Sequence, residues 1–167
     1  MNREPETANS GIAVRAARQT DIAALTELRF AFWSDQIAKG SIDNPDTDPA
    51  QLFADTGKLI ERARTIVFLA TDGDKPVGYI FGQTKILPGS TVSSVEEIFA
   101  DPAYRHTNMA RALADRALVA FQAGGAQRIQ LRVLETNGEG RTFWRQMGFA
   151  PSVTIYEYLN PDNSTNR

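Results

Sequence analysis

The spacing of apolar residues along this chain switches between helical and strand periods, and each switch marks an element. Residues 12–17 form a short strand pattern. Thr20 or Asp21 can then cap a helix that carries Ile22, Leu25, Leu28, Phe32 and Trp33 on one broad side. Residues 40–48 hold Asn44-Pro45 and several acids, a loop signature. Asp48, Pro49 and Gln51 fit an N-cap, a first helical residue and a capping-box partner, so a second helix should run to about Ala63. From Thr65 the period changes: residues 65–71 and 76–82 flank Asp72-Gly73-Asp74-Lys75, a hairpin signal for antiparallel strands. Pro88-Gly89 makes the next turn, and residues 92–100 continue the sheet.

Met109, Ala110, Leu113, Ala117, Ala120 and Phe121 give a third helix its apolar side, and Gly124-Gly125 ends it. Residues 128–133 alternate again, so a strand follows, and the strand-helix-strand unit should be right-handed and parallel. Asn137-Gly138 opens a short fourth helix bearing Phe143, Trp144 and Met147, stopped by Gly148, before a final strand at residues 153–159. The expected fold class is α/β in the α+β sense, a mixed, mostly antiparallel sheet flanked by about four helices.

Composition narrows the chemistry. With 167 residues and 42% apolar content the chain should form one domain over residues 11–159, with polar tails at 1–10 and 160–167. A net charge of -2 exerts no general pull toward nucleic acid or an anionic membrane, so small molecules are the expected partners. The absence of cysteine excludes disulfides, thiolate metal sites and a cysteine nucleophile, and a single histidine argues against a histidine-rich metal centre; no metal is expected. No run approaches the roughly 20 apolar residues of a membrane span, which makes the cytoplasm the default location.

The candidate chemistry lies at residues 99–113. Asp101-Pro102 must end the preceding strand, because proline has no amide hydrogen and restricts the residue before it. A helix then begins near Thr107. Its unpaired amides and positive dipole end suit a phosphate, and Arg105 adds charge-assisted hydrogen bonds to the same anion.

Three pieces in this order resemble the GNAT acyltransferase superfamily. The stretch Arg105, His106, Thr107, Asn108, Met109, Ala110 falls where that family carries an acetyl-CoA pyrophosphate loop of the form Arg/Gln-x-x-Gly-x-Gly/Ala. An acidic strand, residues 95–102, approaches it, and Asn137, Arg141, Phe143, Trp144, Gly148 and Phe149 are similar to the second family signature. Asn108 replaces the first signature glycine, and His106 sits where another is frequent. Asparagine tolerates left-handed backbone at about 1 kcal/mol, small beside several amide-to-phosphate bonds of roughly 1.5 to 3 kcal/mol each.

The resemblance implies acetyl-CoA as acyl donor, held in a V-shaped gap where the strands ending at Ala100 and Leu134 splay apart. It implies cofactor contacts from Ile98, Phe99 and Ala100, from residues 105–110 of the cradle, and from Asn137 and Trp144. A backbone amide near Phe99 or Ala100 would polarise the thioester carbonyl, and an amine would attack directly, without an acyl-enzyme. An alkyl amine titrates at about 10.4, so a carboxylate or a water that it holds must take the proton; Glu96 and Glu97 are the candidates. Side chains alternate along a strand, so only one of the two should face the substrate unless a bulge intervenes.

Trp144 occupies the position where many relatives carry a tyrosine that protonates the departing thiol. A thiol titrating at about 8.5 leaves unaided for about 2 kcal/mol, and Trp144 either packs on the pantetheine arm or joins Phe143 in the core. Tyr156 and Tyr104 are fallback acids. The acceptor side falls to the first two helices and the loop with Asp43, whose acids attract a cationic amine; Phe32 and Trp33 line this pocket or belong to the core. The expected activity is N-acetyl transfer to a primary amine of a small molecule or protein. Its rivals are another acyl-CoA or an O-nucleophile, and a CoA-binding module without turnover. A homodimer paired through the last strand is also open.

Overall fold

A computed structural model describes residues 11–41, 48–104, 107–156 and 158. In chain order it contains β1 (Ile12–Ala16), α1 (Ile22–Ala38), α2 (Pro49–Glu61), β2 (Thr65–Asp72), β3 (Lys75–Leu87), β4 (Ser90–Ala100), α3 (Met109–Ala123), β5 (Arg128–Leu131) and α4 (Gly138–Gln146), with short 3-10 turns at Gln19–Asp21 and Pro102–Tyr104. The five strands form one sheet in sequence order. Pairings through β4 are antiparallel, and β4 to β5 is parallel.

The sheet separates two cores. On one face Leu25 and Phe32 of α1 and Leu59 and Ile60 of α2 pack against Val67, Leu69, Tyr79 and Phe81. On the other, Leu113, Ala114, Ala117 and Phe121 of α3 and Trp144 of α4 cover Phe68, Ala70, Ile80 and Val95. Alternating side chains of β2 supply both faces, which is why its burial runs unbroken from Val67 to Thr71. Gly82 lets α3 approach: a Cβ there would lie 2.3 Å from the Ser94 carbonyl oxygen and 2.7 Å from the Phe121 ring.

Local chemistry explains the boundaries. Pro49 opens α2, and Asp48 Oδ1 accepts from the Ala50 amide at 3.2 Å. Asp21 ends the turn before α1 but spends its carboxylate elsewhere, on the Arg18 amide at 2.7 Å and on both terminal nitrogens of Arg15 at 2.7 and 2.8 Å. The turn between β2 and β3 uses Gly73 at φ +58, a left-handed conformation suited to a tight hairpin.

Three features differ from the sequence reading. The strand expected over residues 128–133 and on toward Leu134 is shorter: β5 ends at Leu131, where its pairing with β4 ends. The β3–β4 hairpin is longer than its apolar pattern, because ladder bonds between Gln83–Leu87 and Ser90–Ser94 continue where Ile86 and Leu87 are exposed. The final strand expected at residues 153–159 is corrected: residues 153–156 and 158 are not in a strand. Val153 is 82% exposed and Tyr156 93%. An alternating sequence becomes a strand only with a neighbour to pair with and a face to bury, and neither is present there among the described residues. No described helix is long and apolar enough to cross a membrane.

Candidate active site

β4 and β5 pair only from Val92↔Arg128 to Val95↔Leu131. β4 continues to Ala100 paired with β3, while its pairing with β5 ends at Val95, so from Glu96 onward its other edge has no strand partner among the described residues. The end of β4 leads through Pro102–Tyr104 to the start of α3. Asp101 Oδ1 accepts from the Ala103 amide at 2.9 Å and shapes this turn.

The N-terminus of α3 is built differently from those of α2 and α4. Asn108 stands before the helix at φ 58 and ψ 12, its side chain makes no capping bond, and the first turn contains no acidic residue. In α4, by contrast, Asn137 Oδ1 accepts from the Gly140 amide at 3.0 Å. Leaving the cap side chain and the carboxylates out keeps the first amides of α3 and their positive dipole end available to an anion. Thr107 braces the approach, its hydroxyl donating to the Tyr104 carbonyl at 2.7 Å. Met109 is buried and anchors the helix start in the α3-side core. Arg105 and His106 lie outside the described residues, as does Asp43.

A bulge in β4 decides where the two glutamates go. Across the ladder Gly82 pairs with Val95 and Phe81 with Glu97, which leaves Glu96 as the extra residue. The bulge turns both side chains to the α1/α2 face, although strict alternation would have separated them. Glu96 is exposed, and its Oε1 accepts from Gln83 Nε2 at 2.9 Å and from the Ser94 hydroxyl.

Glu97 is 5% exposed. Arg29 Nε donates to its Oε2 at 3.0 Å and Arg29 Nη2 to its Oε1 at 2.9 Å. The Tyr79 hydroxyl donates to Oε2 at 2.7 Å. Arg29 Nη1 reaches the Thr56 hydroxyl at 3.1 Å, which in turn donates to the Leu52 carbonyl at 2.7 Å. Burial pushes the Tyr79 phenol well above 10.0, and the neighbouring carboxylate adds to the shift. The Arg29 guanidinium is raised despite the opposing effect of its own burial, because it bonds Glu97.

Other sequence candidates divide between core and surface. Phe32 is buried, with its ring 5.3 Å from Trp33 and 6.4 Å from Tyr79. Trp33 is half-buried against the same core. Tyr79 also meets the half-buried Phe99 at 6.5 Å. Ile98 and Ala100 turn to the α3-side core. Trp144 is a core residue, its ring edge-on to Phe143 at 4.9 Å and to Phe149 at 5.1 Å. Tyr156 is not brought into any core. The far end of α1 reaches the β5–α4 connection, where the Thr136 hydroxyl donates to the Lys39 carbonyl at 2.6 Å.

Sequence reasoning did not single out Arg29, Tyr79 or Thr56. The available signal was Arg29 itself, a charge lying four residues after Leu25 within the apolar side of α1.

A mixed sheet whose one parallel pair ends at Val95 and Leu131, with β4 running on through a short turn toward the start of α3, defines the class of fold. Residues 23–149 match the Acetyltransferase (GNAT) family, and the chain belongs to that family. No curated protein matches the sequence.

Among solved structures, an aminoglycoside N-acetyltransferase in complex with CoA superposes with a TM-score of 0.75 at 17% identity, covering 90% of this chain and 95% of its own. An aminoglycoside acetyltransferase from an uncultured soil metagenomic sample, in complex with trehalose, gives 0.71 at 13%, covering 91% and 97%. A ribosomal-protein-alanine N-acetyltransferase from Brucella melitensis biovar Abortus 2308 gives 0.71 at 14%, covering 89% and 99%.

Proposed function

We propose that this protein transfers the acetyl group of acetyl-CoA to a primary amine of a small molecule or protein by direct attack. One observation carries the reading: beyond Val95 the edge of β4 is released from β5 and leads straight to an α3 N-terminus entered through left-handed Asn108. Backbone groups of Ile98, Phe99 and Ala100 on that edge are suited to the pantetheine arm, and an amide at Phe99 or Ala100 to the thioester oxygen. The amides from Asn108 to Ala110 suit the diphosphate, with Thr107 bracing the approach and Arg105 and His106 joining from the sequence motif. Asn137 serves this site through the start of α4, which it caps.

Glu96 is the proton acceptor in this reading, because it is exposed on the face of α1 and α2 while both oxygens of Glu97 are engaged. Trp144 lies in the core and supplies no acid, so the thiolate leaves unaided for about 2 kcal/mol. The acceptor side comprises α1, α2 and the loop with Asp43, with Trp33 at its border. The similar structures include acetyltransferases whose acceptors are aminoglycosides and the alanine of a ribosomal protein, which supports an amine over an oxygen nucleophile.

The engagement of Glu97 and the burial of Trp144 favour a second reading, a CoA-binding module without turnover. Thermal melting with and without acetyl-CoA, followed by thiol release across an amine library, separates the two. Stabilisation with release supports transfer, stabilisation alone supports the module, and neither result leaves either reading standing. An acyl-CoA panel with product masses fixes the donor. The exposed Val153, Ile155, Tyr156 and Tyr158 support pairing with a second copy, which sedimentation of a variant shortened to residue 152 tests.

A further inference from the structure

We propose that Arg29 is a positioning residue for acyl transfer, acting through Glu97 to hold the β4 bulge in the register that presents residues 98–100 to the gap. The inference rests on the acetyl-transfer reading of the cleft and adds to it a part for the buried ion pair. Along a strand, successive side chains alternate between faces, and successive amides alternate between neighbours. Sliding the bulge by one residue would therefore move Glu97 to the α3 face and exchange which amides of residues 97–100 point to β3 and which to the gap.

Apolar side chains choose weakly between these registers. Ile98 and Ala100 pack against the α3-side core and Phe99 against the α1-side core, so either phase buries apolar groups on both faces. Glu97 does choose. In its present place it meets Arg29 through two parallel bonds and accepts a third from Tyr79. In the slipped register its carboxylate would lose Arg29 and Tyr79 and enter the apolar layer of Val95, Leu113 and Phe121.

Arg29 is itself fixed. Its Nη1 bonds Thr56 on α2, and its guanidinium lies 5.7 Å from the centre of the Phe81 ring, the residue paired with Glu97 across the ladder. A buried ion pair is a poor means of stabilising a fold, since apolar residues of similar size often serve as well, and the part assigned to this one is to select a single register of β4. Here it sits at the point where β4 leaves β5.

Arg29→Met, Glu97→Met and the double variant separate positioning from stability. Each single change should lower the melting temperature and reduce kcat/KM by roughly ten- to a hundredfold. The double variant removes both charges and should recover most of the melting temperature, while turnover stays low and hydrogen exchange at amides 96–100 differs from wild type. Recovery of turnover together with melting temperature would overturn the proposal.

Glu97→Gln should keep the wild-type pH dependence of turnover; loss of its basic-group transition would show that Glu97 takes the proton and would also overturn it. If Arg29→Met does not fold, Arg29→Lys, which keeps the charge but loses the fork, should show the same pattern to a lesser degree. Wild-type protein that neither binds acetyl-CoA nor releases thiol would sink the transfer reading. The exchange measurement on ligand-free protein then still decides the bulge: altered exchange in the double variant supports the role of Arg29, and unchanged exchange refutes it.

Discussion

The Tyr79 hydroxyl donates to Glu97 Oε2 at 2.7 Å from a side chain that has no exposure to solvent. Burial, then the charge and hydrogen bond of Glu97, raise the phenol well above 10.0 in the folded protein. With the folded value raised above the unfolded one, this stabilisation is complete below pH 10.0 and is lost as pH rises toward the folded value. Unfolding free energy should therefore fall above that pH by up to about 1.4 kcal/mol per unit. Tyr79→Phe should remove that extra slope and lower stability at neutral pH by about 1 to 2 kcal/mol, read by urea unfolding across pH.

At the other end of the sheet, the hydrogen bonds from Arg15 hold the Asp21 carboxyl below 3.8, with help from the Arg18 amide and against a smaller opposing effect of burial. A depressed folded value means the stabilisation is present above 3.8 and vanishes as pH falls through the folded value. Asp21→Asn should cost about 1 kcal/mol at pH 7, discounted because Arg15 is partly exposed, and the gap between variant and wild type should close in strong acid. Chemical unfolding at the two extremes checks this.

Gly82→Ala should be among the most damaging small substitutions. Its methyl would meet the Ser94 carbonyl oxygen at 2.3 Å, and backbone cannot swing away as a flexible side chain can. The expected loss is about 3 kcal/mol, enough to lower the melting temperature visibly and to loosen α3 from the sheet. Gly89→Ala, at a hairpin position with open space around it, should cost only the strain of its left-handed backbone, about 1 to 2 kcal/mol. Near-equal melting temperatures would contradict the packing argument.

The cradle yields a paired expectation. Asn108→Ala should destabilise by about 1 kcal/mol and weaken acetyl-CoA binding, whereas Asn108→Gly should bind at least as well as wild type, since only the left-handed backbone is at stake. Arg105→Ala should weaken binding by roughly 1 to 3 kcal/mol without altering the melting temperature of the ligand-free protein. Calorimetric titration with acetyl-CoA measures all three; an unchanged affinity in Arg105→Ala would remove that residue from the site.

Elements held by neighbours in sequence were legible from sequence. Pro49 and Asp48 mark the start of α2 whatever lies around them, Asp72-Gly73 turns a hairpin, and Asp101-Pro102 ends a strand next to a helix start. The left-handed backbone at Asn108 is of the same kind, because asparagine tolerates that conformation by its own chemistry. The family signature and the order of strands and helices also depend on such local choices.

Tertiary structure decided where the ambiguous side chains went. Glu96 and Glu97 look alike in sequence, and a one-residue bulge together with an arginine 68 residues away made one an exposed acid and the other a buried partner. Phe32 and Trp144 had to be core or cleft, and the helices packed over them chose core. Residues 153–156 alternate as a strand should, yet lie outside the sheet. Caps and turns are settled within a few residues, but burial, register and charge pairing are sums over groups distant in sequence, and only the assembled sheet and helices bring those groups together.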